Sequence, residues 1–492
     1  MAAIPRLGRQ GDTVWPIHPD WPNPHPAQPG SGEASARWYS DRAADAHRHV
    51  LKADLDDRAR CEARRPMRLL SRRSLFKLLG LGGGSLLLGR GTAAAQVSRQ
   101  AAQPLPDFTG PGANPYWNST SPFAVYPQKL PLLRLTDRPI QLETPRQYFA
   151  TAFTPNNAFF VRYHLEYIPN EISLADWRLV VEGHVDRPRQ YTLDELARGF
   201  RPVTVAAVNQ CSGNSRSYFQ PRVPGGQWGN GAMGNAWWTG VRLRDLLDAA
   251  GLKSGTAQIQ FQGLDRGAGP PGKGSHAFLK SFDATDPVLG ECLVAYLMND
   301  EPLPMLNGFP VRLVAPGKFA TYWMKHLTWI RALTQEDTNF WMAPAYRIPD
   351  VPAGDTSPAA VAGGQVKMVP IDRVNLPVRS FIIAPDGATK LLSGVRTRVQ
   401  GIAFSGYGGV TKVELSADDG KTWTAVALGE DHGPHSFRTW AADWTPPRPG
   451  TYVLAVRATD AKGNVQPDHG VWNPGGYLWN KIERQEIVVG GA

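Results

Sequence analysis

Cysteine is scarce in this chain: Cys61, Cys211 and Cys292 are the only three in 492 residues. Three thiols cannot build a disulfide framework, and without a Cys-x-x-Cys or Cys-x-x-Cys-His there is no zinc knuckle and no c-type haem attachment point. A cysteine with chemistry to do here acts alone. No Gly-x-Ser-x-Gly elbow occurs, which removes that design of serine hydrolase. No uninterrupted apolar run reaches the roughly 18 residues that a membrane-spanning helix needs. Charge of one sign is not lacking but is only mildly unbalanced, 53 Lys and Arg against 43 Asp and Glu.

What is present describes a chain that folds. A hydrophobic content of 42%, a charged content of 20% and 16 Trp exclude global disorder and a coiled coil. The length predicts two or three domains. Of the net +10, residues 1–95 account for more than half, with 15 Lys and Arg against 9 Asp and Glu. The remainder is too nearly neutral to suggest nucleic acid or a membrane surface as partner.

That basic N-terminal region has an order of its own. Ser71-Arg72-Arg73-Ser74-Leu75-Phe76-Lys77 precedes a weakly apolar run, Leu78 to Gly89, and the small residues Ala93-Ala94-Ala95. Basic pair, short apolar stretch and Ala-x-Ala site are the parts of a twin-arginine export signal, 67–95. A soluble, exported, periplasmic protein is expected, with no membrane span in the mature chain. Residues 1–66, rich in Pro, Arg, Ala and Asp without periodicity, read as a disordered or untranslated leader, with Met67 as the start.

After a loop-like segment, 96–124, the region 125–350 mixes short strands with short helices, an α+β pattern. Phe159 to His164, Trp177 to Gly183 and Val203 to Val208 read as strands; Leu193 to Ala197 and Leu243 to Ala250 read as helices. A Pro, Gly and Ala-rich linker, Ile348 to Gly364, follows. In 365–490, alternation over Val395 to Phe404, Thr411 to Ala417 and Tyr452 to Ala458, with turns at Asp418-Asp419-Gly420 and Lys462-Gly463-Asn464, predicts an immunoglobulin-like β-sandwich.

The chemistry concentrates at Val208-Asn209-Gln210-Cys211-Ser212-Gly213-Asn214-Ser215-Arg216. A cysteine just past an apolar strand, in a loop of small residues with an arginine five positions on, is placed to expose a thiolate. It could be a nucleophile with His164 or His276 as base, or a soft metal ligand; spacing alone does not separate the two. Cys292, within Gly290 to Tyr296, which looks like a core strand, reads as a core thiol.

Taken together, Phe159-Phe160-Val161-Arg162-Tyr163-His164, the Cys211 loop, Asn307-Gly308-Phe309-Pro310-Val311-Arg312, Met324-Lys325-His326-Leu327 and the tail segment Val413 to Trp423 resemble the sulfite oxidase family of molybdenum enzymes. The resemblance covers roughly 125–490 and leans toward the exported bacterial sulfite dehydrogenases. It implies a molybdopterin-binding catalytic domain, 125–350, and a dimerisation domain, 365–490, in a homodimer. It implies that Cys211 supplies the one protein thiolate to molybdenum. Phe160, Arg162, His164, Asp265, Asn307, Arg312 and Lys325 match positions that hold the molybdenum-molybdopterin cofactor. Arg162, Arg216, Trp228 and Tyr346 match the catalytic pocket, where arginines suit sulfite and a tyrosine assists proton movement.

Two departures stand out. Asn307 replaces a histidine of the animal enzymes, and Trp472-Asn473-Pro474-Gly475-Gly476-Tyr477 has Gly475 where those enzymes place a pocket arginine, for which Arg347 is a candidate substitute. With no haem motif in the chain, the resemblance implies electron delivery to a separate c-type cytochrome. The expectation is sulfite oxidation. Alternatives are the molybdenum subunit of a thiosulfate-oxidising complex (a sulfane dehydrogenase), a sulfoxide reductase of the same cofactor superfamily, and a non-catalytic binding protein.

Overall fold

The computed structural model describes residues 123–124, 129–130, 132–137, 139–268, 275–351 and 356–491. The expected leader, the export signal, Cys61 and nearly all of the 96–124 segment lie outside the described residues.

In the first half, β1 (Phe123–Ala124), β2 (Leu132–Asp137), β3 (Ile140–Glu143) and β4 (Val161–Arg162) form one antiparallel sheet. Then come β5 (Leu179–Gly183), β6 (Arg189–Tyr191), β7 (Val203–Gln210), β8 (Met233–Arg242), β9 (Gln258–Ala268), β10 (Ser275–Asp283), β11 (Leu293–Met298), β12 (Glu301–Pro302), β13 (Arg312–Val314) and β14 (Trp329–Leu333). These sort into two sheets, β10-β9-β14-β5-β6 and β12-β11-β8-β7, with β13 alongside β11. The strand of Cys292's neighbours, β11, is buried at nearly every position, as a strand covered on both faces must be. Cys292 itself is fully buried, and burial pushes its thiol well up.

The two expected helices are present and locally explicable. Helix α1 (Leu193–Gly199) opens on a capping box between Thr192 and Glu195. Helix α2 (Leu243–Ala250) buries Leu243, Leu246, Leu247 and Ala250, one face at helical spacing, and stops at Gly251, whose φ of 71° suits only a residue without Cβ strain. Beyond these, the described residues add only α3 (Pro358–Ala362), within the expected linker, and single 3-10 turns. The described chain is mostly β, with α1 and α2 as its longest helices, so within the expected α+β mixture strand predominates. None of its helices is long and apolar enough to cross a membrane.

The linker is also more ordered than its composition suggests, since β15 (Arg347–Pro349) pairs with β16 (Met368–Pro370). After it, β17 (Arg379–Ala384), β18 (Leu391–Leu392), β19 (Thr397–Phe404), β20 (Val410–Ser416), β21 (Thr424–Ala425), β22 (Ala427–Leu428), β23 (Arg438–Trp444), β24 (Gly450–Asp460) and β25 (Glu483–Gly490) build two sheets, β17-β19-β23-β22 and β18-β25-β24-β20-β21. Ile382, Val399 and Trp440 from the first pack against Val413, Leu454, Val456 and Ile487 from the second. Each such side chain contributes about 1.5–3 kcal/mol on burial. No disulfide links these sheets; side-chain packing and hydrogen bonds such as that from the Ile382 N–H to Glu483 hold them together.

The two halves meet through buried polar contacts. Arg146 pairs with Glu483, whose other oxygen accepts from the Ile382 N–H at 2.6 Å. Arg379 on β17 donates to Ser215 Oγ at 2.7 Å and Asn230 Oδ1 at 2.6 Å, reaching directly into the loop that follows Cys211.

Candidate active site

Strand β7 becomes buried toward its end at Gln210, and Cys211 is the next residue. Its N–H donates to the Ala232 carbonyl at 2.9 Å and its carbonyl accepts from the Asn214 N–H at 3.0 Å. Asn214 Oδ1 in turn accepts from the Ala232 N–H at 3.0 Å. The loop turns at Ser215, which holds a left-handed φ of 68° and is kept there by Asn230 and Arg379. Behind it, the Glu143 carboxylate accepts the N–H groups of Gly229 and Gly231 at 3.1 and 2.7 Å. Burial pushes that carboxyl up to about 7 despite the two hydrogen bonds. Gly213 has no room for a side chain, since a Cβ there would lie 2.3 Å from Arg216 Nη2.

Cys211 lines a cavity between these elements. Of the residues matched to cofactor binding, Phe160 and Arg162 come from the segment at β4, His164 from just beyond it, Asp265 from β9, Asn307 from a 3-10 turn, Arg312 from β13 and Lys325 from the approach to β14; all line the same cavity, with Tyr346. Three cations thus face one carboxylate. Arg312 is 3% exposed, donates to the carbonyls of Asn307 and Trp323 at 3.0 and 3.2 Å, and lies 5.0 Å from the Trp238 ring centroid. Burial lowers it to about 9. Lys325 donates to the Arg162 carbonyl at 2.6 Å and lies over the Tyr163 ring at 4.2 Å. Burial, then the Arg312 charge, holds it below the usual lysine range, with Asp265 pulling the other way. Asp265 is correspondingly raised by burial.

Tyr163 donates into a relay that fixes this wall: its hydroxyl meets His326 Nε2 at 2.7 Å, and His326 Nδ1 meets the Phe309 carbonyl at 2.6 Å. Burial depresses His326 to about 3, so it is neutral, and the tautomer protonated at Nδ1 satisfies both contacts. Asn307 is held by Lys129 Nζ and the Phe160 carbonyl.

On another part of the wall His164 Nε2 shares a hydrogen bond with the Tyr346 hydroxyl. His164 stacks on Phe278 at 3.7 Å between centroids. Burial, aided by Arg162, Lys325 and Lys280, keeps its imidazole neutral, while burial raises the Tyr346 phenol. Tyr346 has a left-handed φ of 56°, a strained conformation for a residue with a side chain. Its ring stacks on Tyr477, 5.6 Å away and 11° from parallel, and Tyr477 lies 5.5 Å from the Arg216 guanidinium.

Arg216 and Trp228 are not brought to the cavity wall. Arg216 is buried behind it, donating from Nε to the Gly475 carbonyl and from Nη1 to the Gly226 carbonyl, both at 3.1 Å. Trp228 is fully buried and accepts at its carbonyl from the Ser217 N–H and hydroxyl. Arg347 does not replace the missing pocket arginine: its guanidinium is spent on the carbonyls of Ala343 and Met368. What the 473–477 loop delivers in place of an arginine is the Tyr477 ring. Sequence reading missed Tyr477, Phe278, Lys280 and Lys129; for Lys280 the available signal was a charged residue inside the apolar run Phe278 to Phe282.

The cavity fits an anionic cofactor on its own chemistry. Arg162 Nη1, Arg312 Nε and Asn209 Nδ2 are buried donors without a partner, on a wall where two cations are already destabilised by burial. A group rich in acceptor oxygens satisfies them. Among the described residues no three His, Cys, Asp or Glu side chains converge on one point.

Comparisons with known proteins agree with this chemistry. Residues 164–341 match the oxidoreductase molybdopterin binding domain, and residues 372–489 match the Mo-co oxidoreductase dimerisation domain. The chain is 33% identical over 394 residues to mitochondrial sulfite oxidase of Rattus norvegicus, covering 76% of this chain and 69% of that protein. It is 28% identical over 389 residues to sulfite oxidase of Arabidopsis thaliana, covering 74% of this chain and 96% of that one. Among solved structures, the sulfane dehydrogenase SoxCD from Paracoccus pantotrophus superposes with a TM-score of 0.62 at 22% identity, covering 84% of this chain and all of that one, which shows a shared fold.

Proposed function

Because the chain belongs to the sulfite oxidase family of molybdopterin oxidoreductases, we propose that it is an exported sulfite dehydrogenase, oxidising sulfite to sulfate in the periplasm and passing electrons to a c-type cytochrome. The observation that carries this reading is the cavity in which one thiol, Cys211, faces the unsatisfied cations Arg162 and Arg312. The succession of an arginine pair, a short apolar run and small residues from Ser71 to Ala95 supports export.

When bound, the molybdenum cofactor supplies the two-electron couple and the oxygen-atom transfer. Phe160, Asp265, Asn307, Arg312 and Lys325 hold it, and Cys211 is its protein ligand. Arg162 binds the sulfite dianion, its free Nη1 directed into a site shielded from water, where a charge-assisted hydrogen bond is strong. Arg216 adds positive potential from behind and fixes the 473–477 loop through the Gly475 carbonyl. Tyr346 and neutral His164 form a hydrogen-bonded pair able to take up and pass on, one at a time, the two protons released as water is consumed.

The C-terminal two-sheet domain reads as immunoglobulin-like and as the homodimer contact. Its strand order, with first, third, seventh and sixth strands in one sheet, follows the A-B-E-D arrangement of that fold.

A second reading, a sulfane dehydrogenase acting on thiosulfate-derived sulfur held by a partner protein, draws on Gly475, since losing a pocket arginine favours a substrate less dependent on a second cation. Steady-state turnover of the purified, molybdenum-loaded protein with free sulfite, using cytochrome c or ferricyanide as acceptor, separates the two. Sulfite-dependent reduction is expected; molybdenum-loaded protein inert to sulfite contradicts the first reading.

A further inference from the structure

Lys280 lies on β10 opposite Phe261 and is fully buried. Among the described residues its Nζ donates to a single acceptor, the Trp341 carbonyl, at 2.5 Å. Otherwise the ammonium faces two aromatic rings, Tyr322 at 4.7 Å and Tyr346 at 4.4 Å from their centroids. No carboxylate forms an ion pair with it among the described residues. Of the two that act on it from a distance, Asp337 is already occupied by Gln260, Ser281 and the Asn339 N–H, and Asp372 lies on the 3-10 turn after β16. Burial accordingly lowers Lys280 to about 7.

An ammonium in such a place costs stability, and an apolar side chain of similar length would pack there without that cost. Its contacts indicate what it is for. Trp341 and Tyr346 open and close one short segment, Trp341 to Tyr346, and Lys280 grips both ends: the first by its carbonyl, the last by its ring. That segment finishes in the strained left-handed conformation of Tyr346, which needs an external restraint to persist. The restrained hydroxyl is the one that meets His164.

We propose that Lys280 is the positioning residue for Tyr346, holding its ring by a cation–π contact so that the phenol hydroxyl stays in register with His164 Nε2. This rests on the role given to Tyr346 above. Lys280 touches neither substrate nor cofactor in this account; it acts through the tyrosine.

The test uses holoenzyme carrying Lys280→Met, Lys280→Arg, Tyr346→Phe and the Lys280→Met/Tyr346→Phe pair, each checked for molybdenum content and Tm. Lys280→Met is expected to lower kcat for sulfite about 10- to 100-fold with KM changed far less, since small misplacements of a reacting group cost rates of that order. Lys280→Arg restores most of the loss, and Lys280→Met has no further effect once the Tyr346 hydroxyl is gone. A crystal structure of Lys280→Met should show the Tyr346 hydroxyl out of hydrogen-bond reach of His164. If Lys280→Met does not fold, Lys280→Gln, which keeps a donor for the Trp341 carbonyl but no charge, is expected to show the same kcat loss. Equal losses from Lys280→Met in both backgrounds, or wild-type kcat in the charge-free variants, overturn the proposal. Unchanged turnover in Tyr346→Phe instead overturns the role of Tyr346 itself, and the Lys280→Met structure then decides: an undisplaced ring overturns the positioning role, a displaced one supports it.

Discussion

The cavity has two walls built on different principles. The cofactor wall, with Phe160, Asp265, Asn307, Arg312 and Lys325, comes entirely from the N-terminal domain, and its cations are fixed by backbone carbonyls and indole or phenol faces. The catalytic side is shared: Tyr346 stacks on Tyr477, and Arg216 is tied to the Gly475 carbonyl, so the C-terminal domain completes it. A wall made by one domain holds a constant ligand, whereas a wall made at a domain junction can change with the loop that the second domain supplies. The replacement of an arginine by Gly475 and a tyrosine stack falls on the shared side.

The largest effect expected belongs to neither wall but to the thiol between them. Cys211→Ser should abolish sulfite oxidation while circular dichroism stays unchanged, because a hydroxyl is a poor substitute for a soft thiolate ligand. Unchanged turnover would remove the ligand assignment. On the cofactor wall, Arg312→Met should lower cofactor affinity about 10- to 100-fold, the worth of one or two charge-assisted hydrogen bonds, read as pterin and molybdenum retained after dialysis. If kcat falls instead with occupancy intact, the separation of the walls is wrong.

On the shared side, Arg379→Met leaves Ser215 Oγ and Asn230 Oδ1 with one donor fewer at the domain junction, and should lower stability by about 1–3 kcal/mol, seen as a fall in Tm with cofactor content less affected. Tyr477→Leu removes the ring between Arg216 and Tyr346 and should raise the sulfite KM several-fold more than it lowers pterin retention.

The smallest effect is a pH dependence. Lys129 is lowered from 10.5 to about 7 by burial, so in the cofactor-free protein its contribution is present above pH 10.5 and is lost as pH falls toward 7. Relative to wild type, Lys129→Met should therefore be most favoured at and below pH 7, with the advantage shrinking as pH rises to about 10 in thermal scans. An advantage independent of pH would mean that Lys129 is not buried as a cation.

The same division explains what could be read in the sequence. The cofactor wall is written in short contiguous motifs, Phe160 to His164, Asn209 to Arg216, Asn307 to Arg312 and Met324 to Leu327, each carried on one strand or turn, and every residue named from them for cofactor binding lines one cavity. The shared wall joins residues with no local signal. Tyr477 lies 131 positions from the ring it stacks on, and no spacing rule connects them. Lys280 stands out in sequence only as a charge between Phe278 and Phe282, and its partners become visible only in β10, which is covered on both faces with Lys280 and Ser281 both buried. Arg347 is a reasonable substitute cation by its place in the sequence, but its backbone acceptors, Ala343 and Met368, turn it away. In the fold, the strands of the C-terminal domain were legible because period-2 alternation reports a half-buried sheet, as at β19, β20 and β24.

One measurement bears most directly on the account: molybdenum content determined on the same purified sample as sulfite-dependent reduction of cytochrome c. The account predicts about one molybdenum per chain and reduction that requires sulfite and is lost in Cys211→Ser. Molybdenum-loaded protein that leaves cytochrome c and ferricyanide oxidised in the presence of sulfite would contradict it.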